Sequence, residues 1–360
     1  MIQVLKLCAG EWVEVRSKEE ILSTLGKDGR MDGLPFMPEM FQYCGKRLRV
    51  FKRAHKTCDP SLGIVGRRMS NTVHLEAARC DGAAHDGCEQ GCLTFWKEAW
   101  LKRVSSGVSA KGIEAASQEP FKTVSVGCTE MDVRAGTKVP AEGASDGTTY
   151  VCQATHLKYA TQPLAWWDLR QYLEDYASGN VRLSQLLAGI VFQVWHTLAE
   201  AGLGIGTAMR WIYERFQKLR GGPPYPSRIG KVPKGSPTPT MRLDLRPGEL
   251  VRVKGYKEIL ETLGDNSRNR GMYFDPEMVP FGGRTFRVMK RVQQIIDEKT
   301  GKMVHFKSDA IILENVVCEA RYAKCRRFCP RSIYPYWREI WLERVTESDE
   351  TSKNSAQPLV

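Results

Sequence analysis

The chain repeats itself. Shifted by 238 residues, Gly10–Arg53 aligns with Gly248–Arg291 without a gap, and 21 of the 44 paired positions are identical. Unrelated segments share only a few, so this is an internal duplication, and each element read in one copy must also make sense in the other. The shared positions include Gly10/Gly248, Val13/Val251, Val15/Val253, Glu20/Glu258, Pro38/Pro276, Glu39/Glu277, Met40/Met278, Arg49/Arg287 and Val50/Val288.

Each copy opens with an alternating segment, EWVEV or ELVRV, whose valines fall on one face of a strand. A short helix follows. In the first copy Ser17 and Glu20 have the spacing of a capping box and Gly26 can end the helix; in the second, Gly255 stands in place of the serine. A loop carrying Pro-Glu-Met leads to a basic strand, RLRVFKR or RTFRVMKR. In the second copy that strand runs on to a hairpin turn at 297–301 and returns through KMVHFK and AIILENVVC. The copies close on FWKEAWLKRV and YWREIWLERV, and burial of two tryptophans in each would anchor that segment against the sheet.

The GE-x-V-x-V opening, followed by several short strands and a single helical turn, resembles SH3-like and KOW-type barrels. The resemblance implies an α+β protein in which two duplicated small SH3-like β-barrels flank a helical middle region. It implies a fold and no activity, since such folds host many functions. The first module is expected over 1–104 and the second over 248–345. Between them come a Gly/Ser/Ala-rich connector over 105–163, where FKTVSVGC and TTYVCQATHLKYA can pair as strands, and a helical region over 164–220 with three helices. A basic linker follows over 221–247, with seven prolines that exclude helix, and a disordered tail is expected over 346–360.

Cysteines carry the chemistry. There are eleven, an odd number, and the N-terminus lacks the basic and apolar regions of a secretory signal, so a reduced, cytoplasmic setting is expected. In the first copy Cys80, Cys88 and Cys92 form C-x7-C-x3-C; in the second, Cys318, Cys325 and Cys329 form C-x6-C-x3-C just before the closing aromatic segment. Thiolates spaced in this way suit zinc, and recurrence at one topological place favours metal ligands over scattered core thiols. A closed site needs four donors. For the first copy the supply is His55 and Cys58, just after the basic strand, with Cys58 the first choice and His74 and His85 also at hand; for the second it is His305, Cys128 or Cys152, or the site is incomplete. Zinc is the expected cofactor. An iron-sulfur cluster is the alternative, because the run from Cys325 to Pro330 resembles the tail of a bacterial ferredoxin motif, although the preceding C-x2-C intervals are missing. Thiol redox is a further alternative, with Cys44 and Cys58 lying beside Lys46, Arg47, Arg53 and Lys56.

With 53 Lys+Arg against 41 Asp+Glu the net charge is +12, and the densest basic stretch, Arg210 to Arg246, has nine basic and two acidic residues. Such a stretch can meet phosphates or anionic lipid. Arg326, Arg327 and Arg331 crowd the second cysteine group and are expected to face a partner, most simply a protein, with nucleic acid the alternative. The apolar run from Leu186 to Ile205 is interrupted by Gln193, His196 and Glu200, short of the ~20 residues of a membrane span, so a buried or interfacial amphipathic helix is expected, with membrane insertion or peripheral membrane contact the lesser alternative. No P-loop, G-x-S-x-G, H-E-x-x-H or dinucleotide fingerprint occurs. Glu39 and Glu277 could act as acid-base groups, though capping loop amides or pairing with arginine suits them better. No enzyme activity is assigned. The reading is a cytoplasmic metal-binding scaffold or adaptor that engages a macromolecular partner.

Overall fold

The computed structural model describes residues 4–63, 65–104, 127–139, 147–202, 204–226 and 229–345. The expected tail over 346–360, and the first six residues of FKTVSVGC, lie outside them. The fold is mixed α+β and packs as two compact units. The first comprises residues 1–182 together with Ile296–Met303 and Cys329–Arg331; the second holds the rest. The helical region over 164–220 is divided at Arg182, and two short segments of the second repeat belong to the first unit.

In the first unit, strands β1 (Trp12–Val15), β2 (Arg47–Arg53), β3 (Thr72–Arg79), β4 (Leu93–Lys97) and β5 (Leu101–Arg103) form an antiparallel sheet in the order β4-β3-β2-β1-β5. The edge strands β4 and β5 make no ladder with each other among the described residues, so this is a half-barrel. The two-residue period decides the faces: Val13 and Val15 are fully buried, while Trp12, at the start of β1, is 56% exposed. In the second unit, β6 (Leu250–Val253), β7 (Thr285–Arg291), β8 (Ile311–Leu313) and β9 (Leu342–Arg344) repeat the arrangement in the order β8-β7-β6-β9.

The duplication extends to register. Val13 pairs with Leu48, and Val251 with Phe286; Val15 pairs with Leu101, and Val253 with Leu342. Each basic strand carries a register irregularity at the same place, between Val50 and Lys52 and between Val288 and Lys290. Trp96, Trp100, Trp337 and Trp341 are all fully buried. Phe36 meets Trp100 edge-on at 5.1 Å, and Phe274 meets Trp341 at the same distance. Trp100 and Trp341 each find a hydroxyl for the indole N–H, Thr24 at 3.1 Å and Thr262 at 2.9 Å.

A second repeated device holds the chain entering each sheet. The Glu98 carboxylate accepts the backbone N–H groups of Leu5, Lys6 and Leu7 and pairs with Arg53. Glu339 accepts those of Leu243, Asp244 and Leu245 and pairs with Arg291. Both carboxylates are buried, so each is stable only because three amides and a guanidinium replace its lost water.

The capping box at Ser17 forms as expected on helix Lys18–Leu22, with Ser17 and Glu20 exchanging hydrogen bonds. Gly255 lacks the hydroxyl and keeps only the half in which its N–H donates to Glu258. In the middle region, three helices form at Arg170–Ala177, Leu183–Ala199 and Gly206–Leu219. The TTYVCQATHLKYA segment gives a two-residue strand, Thr149–Tyr150, paired with Lys138–Val139, and then a helical turn.

Candidate metal centre

The loop between β3 and β4 is closed at its base, where Arg79 pairs with Leu93 and the Cys80 N–H donates to the Cys92 carbonyl at 2.8 Å. Inside it the chain turns sharply at Gly82, which has φ +78°, and a Cβ there would sit 2.0 Å from the Cys88 carbonyl oxygen. Glycine is therefore required. A short 3-10 turn at Ala83–His85 follows and delivers the His85 ring inward. His85 Nε2 lies 3.2 Å from the Val151 carbonyl, an acceptor, so Nε2 carries the proton and Nδ1 keeps the lone pair.

Opposite this loop is the Pro-Glu-Met segment, a 3-10 turn at Pro38–Tyr43 anchored by the fully buried Met40. Its neighbour Glu39 is 8% exposed, and its carboxylate meets no N–H or O–H among the described residues, only the protonated thiol of Cys80 beside it. Ligand atoms of Glu39, Cys80 and His85 all lie within 4.8 Å of one another, a triad that could hold a metal ion. The cavity they face measures about 30 Å³ and is also lined by Cys88, Cys92, Cys152, Glu298 and Arg331. That is the space of one water or one ion.

Electrostatics sharpen the picture. Burial, reinforced by the Glu39 charge, pushes the Cys80 thiol far up, and burial does the same to Cys92. Burial takes Cys152 to about 11. Without a cation these sulfurs stay protonated; an ion would have to displace their protons. The Cys88 sulfur accepts the Ile296 N–H at 3.4 Å. Arg331 and Glu298, both nearly fully buried, form an ion pair at 2.7 Å in the cavity wall, and Gln90 donates to the same glutamate at 2.8 Å.

Of the residues singled out in the sequence, Cys80 and His85 thus join the triad, and Cys88 and Cys92 line the same cavity. His55 and Cys58 go elsewhere. The His55 ring donates to the Gln171 carbonyl at 3.1 Å, and Lys56 pairs with Asp175, so this stretch docks the Arg170–Ala177 helix. The Cys58 N–H donates to the Cys329 sulfur at 3.2 Å. A hydrogen bond from Cys58 holds the Cys329 thiol below the ordinary thiol range, with burial opposing. His74 bonds the Thr94 carbonyl at 2.8 Å, and burial drops its pKa to about 3. Cys329 belongs to the first unit, whereas Cys318, on the Ile333 carbonyl, and Cys325 belong to the second.

No protein-family model, curated protein or solved structure matches this chain.

The site must therefore be read from its own geometry, and the second copy supplies the control. Glu277, the counterpart of Glu39, accepts the backbone N–H groups of Arg321, Tyr322 and Ala323 at 2.7, 2.7 and 3.1 Å. The same inherited carboxylate caps a loop in one copy and faces a thiol and an imidazole in the other. Glu39 was legible as a recurring residue, but only the loop opposite it decides which role it takes.

The arginines expected to face a partner are mostly sequestered. Arg331 is 2% exposed in its pair with Glu298, and Arg327 is 3% exposed, donating to the Gly189 carbonyl and to Gln193. Arg326 is half-buried on Asp275. A guanidinium stripped of water needs such partners, which leaves these three little to offer a nucleic acid. The basic surroundings of Cys44 do not activate it either, because burial raises its pKa more than Lys18 lowers it.

Proposed function

We propose that the protein is a non-catalytic scaffold whose first unit is locked by a zinc ion, held by Glu39, Cys80 and His85 with a fourth donor from Cys88 or Cys92. The observation that carries this reading is the carboxylate of Glu39, buried beside a thiol and an imidazole with no N–H or O–H among the described residues to meet it. A buried charge with no donor costs several kcal/mol, on the order of the penalty known for unpaired buried ions, unless a cation meets it. Mixed oxygen, nitrogen and sulfur donors around a space for one ion suit tetrahedral zinc, and the His85 N–H on a backbone carbonyl is the outer support such ligands use. An iron-sulfur cluster is less suited to a cavity of about 30 Å³ with a glutamate and a histidine at its edge.

The SH3-like character of the two sheets is supported by the duplication of register, of its irregularity and of the glutamate clamp, and an adaptor role toward a protein partner is proposed with it. Metal content of protein purified in the absence of oxygen tests the central claim. Zinc near one per chain, lost in Glu39→Gln and Cys80→Ser, is expected; iron with acid-labile sulfide, or zinc content unaltered in both variants, would overturn it. One observation favours a second reading, a thiol-redox accessory: the contact of Cys58 with Cys329. Alkylation and mass measurement under peroxide would show whether these two thiols disappear together.

A further inference from the structure

The Leu183–Ala199 helix contains no Asp, Glu, Lys or Arg. Its large side chains are not hidden: Leu187, Ile190, Val191, Val194 and Leu198 are 43–66% exposed. At about 100° per residue these five fall within an arc of about 100°, a single stripe along the helix. The Gly206–Leu219 helix has a stripe of its own in Ile212, Phe216 and Leu219, with Leu219 87% exposed. Here the charges are placed with respect to the stripe. By the same angular count Arg215 falls on one flank and Arg220 on the other, while Glu214 falls on the opposite face. Each arginine lies over an exposed aromatic ring, Arg215 over Trp211 at 5.9 Å and Arg220 over Phe216 at 5.3 Å.

An apolar stripe fringed by guanidiniums and aromatic rings, followed by a basic segment, is complementary to an anionic lipid surface. The apolar side chains enter the acyl boundary and the cations remain among the phosphates. Among the described residues, no helix is long and apolar enough to cross a membrane. We infer that these two helices are a peripheral membrane-docking face that lies in the plane of an anionic phospholipid bilayer. Apolar insertion supplies the affinity, and Arg215 and Arg220 supply the preference for negative headgroups. This does not depend on the metal reading, because the zinc site lies in the first unit and both helices lie in the second.

The test is flotation of the full chain with vesicles of phosphatidylcholine alone or with about 30% phosphatidylglycerol. The expected result is binding to the anionic vesicles roughly tenfold or more above the neutral ones, weakened by salt. The paired substitutions Val191→Asp and Val194→Asp sit at exposed positions and should leave the melting curve unchanged while abolishing flotation. Arg215→Glu with Arg220→Glu should remove the preference for negative lipid. The inference is overturned by failure of the wild-type chain to float with either vesicle, or by valine variants that float as well as wild type. A dimer in light scattering that the aspartates split, without vesicle binding, would overturn it too by giving the face to a second copy. Equal binding to both vesicles would remove the role given to the arginines.

Discussion

Glutamine at position 39 and glutamine at position 277 are the same change in two copies of one loop, and the structure requires them to act in opposite directions. Glu277 accepts three backbone N–H groups, two at 2.7 Å. Hydrogen bonds to a charged group are each worth about 1.5–3 kcal/mol, and an amide turned to this site keeps one acceptor while aiming N–H at N–H. Glu277→Gln should therefore destabilise its unit by about 3 kcal/mol, with or without metal. Glu39 meets no N–H or O–H of a described residue, only the Cys80 thiol, so replacing its charge by an amide of the same shape removes a burial penalty at the cost of at most that one weak contact. Melting of metal-free Glu39→Gln should be unchanged or higher. What it loses is the response to zinc. At a free zinc concentration a hundredfold above Kd, binding stabilises the folded state by about 2.7 kcal/mol. At about 2–4 °C per kcal/mol for a unit of this size, wild-type Tm should rise by about 5–10 °C. Calorimetry of the two variants and the wild type, each with chelator and with zinc, reads all of these quantities. Should metal-free Glu39→Gln fall in Tm as far as Glu277→Gln, or gain as much as wild type from zinc, the assignment of Glu39 as a ligand would be wrong.

Other consequences are open to direct measurement. Gly82→Ala brings a Cβ to 2.0 Å from the Cys88 carbonyl at φ +78°, and should cut zinc content while leaving the two buried tryptophans of that unit in place by near-UV circular dichroism; retained zinc would show that the turn is not what presents His85. Zinc added to metal-free protein at pH 7 in weak buffer should release at least one proton per ion, since Cys80 is held protonated by burial and by Glu39; a titration releasing none would remove Cys80 from the donor set. Burial lowers His74 to about 3, so the unfolded chain binds a proton near its ordinary pKa of about 6.5 while the folded chain refuses it. This contribution is whole above that value and is lost as pH falls, at about 1.4 kcal/mol per pH unit between roughly 6.5 and 3. Urea midpoints of His74→Gln should show a shallower acid slope, and a slope identical to wild type would contradict the reasoning. Arg331→Met leaves Glu298 buried without its cation and should cost about 3–5 kcal/mol, while Arg331→Met with Glu298→Gln should recover most of that; additive losses in the double variant would mean that the pair is not coupled.

Much of the scaffold was legible because it depends on local periodicity and on repetition. Alternating valines gave both inner strands their faces, Ser17 and Glu20 their capping box, and the paired tryptophans their burial. The glutamate clamps at Glu98 and Glu339 sit inside the recognised closing repeats, yet their three amide partners lie more than 90 positions away and carry no side-chain signature. The same limit governs the candidate site. Cys80, His85, Cys88 and Cys92 are close in sequence, so spacing brought them together on paper. Glu39 depends on what the opposite loop fails to offer it, and Cys58 on a sulfur 271 residues further on. Burial of Arg327 and Arg331 was hidden for a similar reason: composition reports a charge, and only packing reports whether that charge has been neutralised from within.

Two short stretches late in the chain, Ile296–Met303 and Cys329–Arg331, are built into the first unit, and Gly301 is in place there because any side chain would strike Thr149 and Tyr150. During synthesis, the β3–β4 loop leaves the ribosome some two hundred residues before the wall that completes its cavity. The early half of the polypeptide must therefore wait, its sulfurs exposed to the cell, until Glu298 and Arg331 emerge, and a ribosome that stops short of them releases a product with an open, thiol-lined wound rather than a finished half.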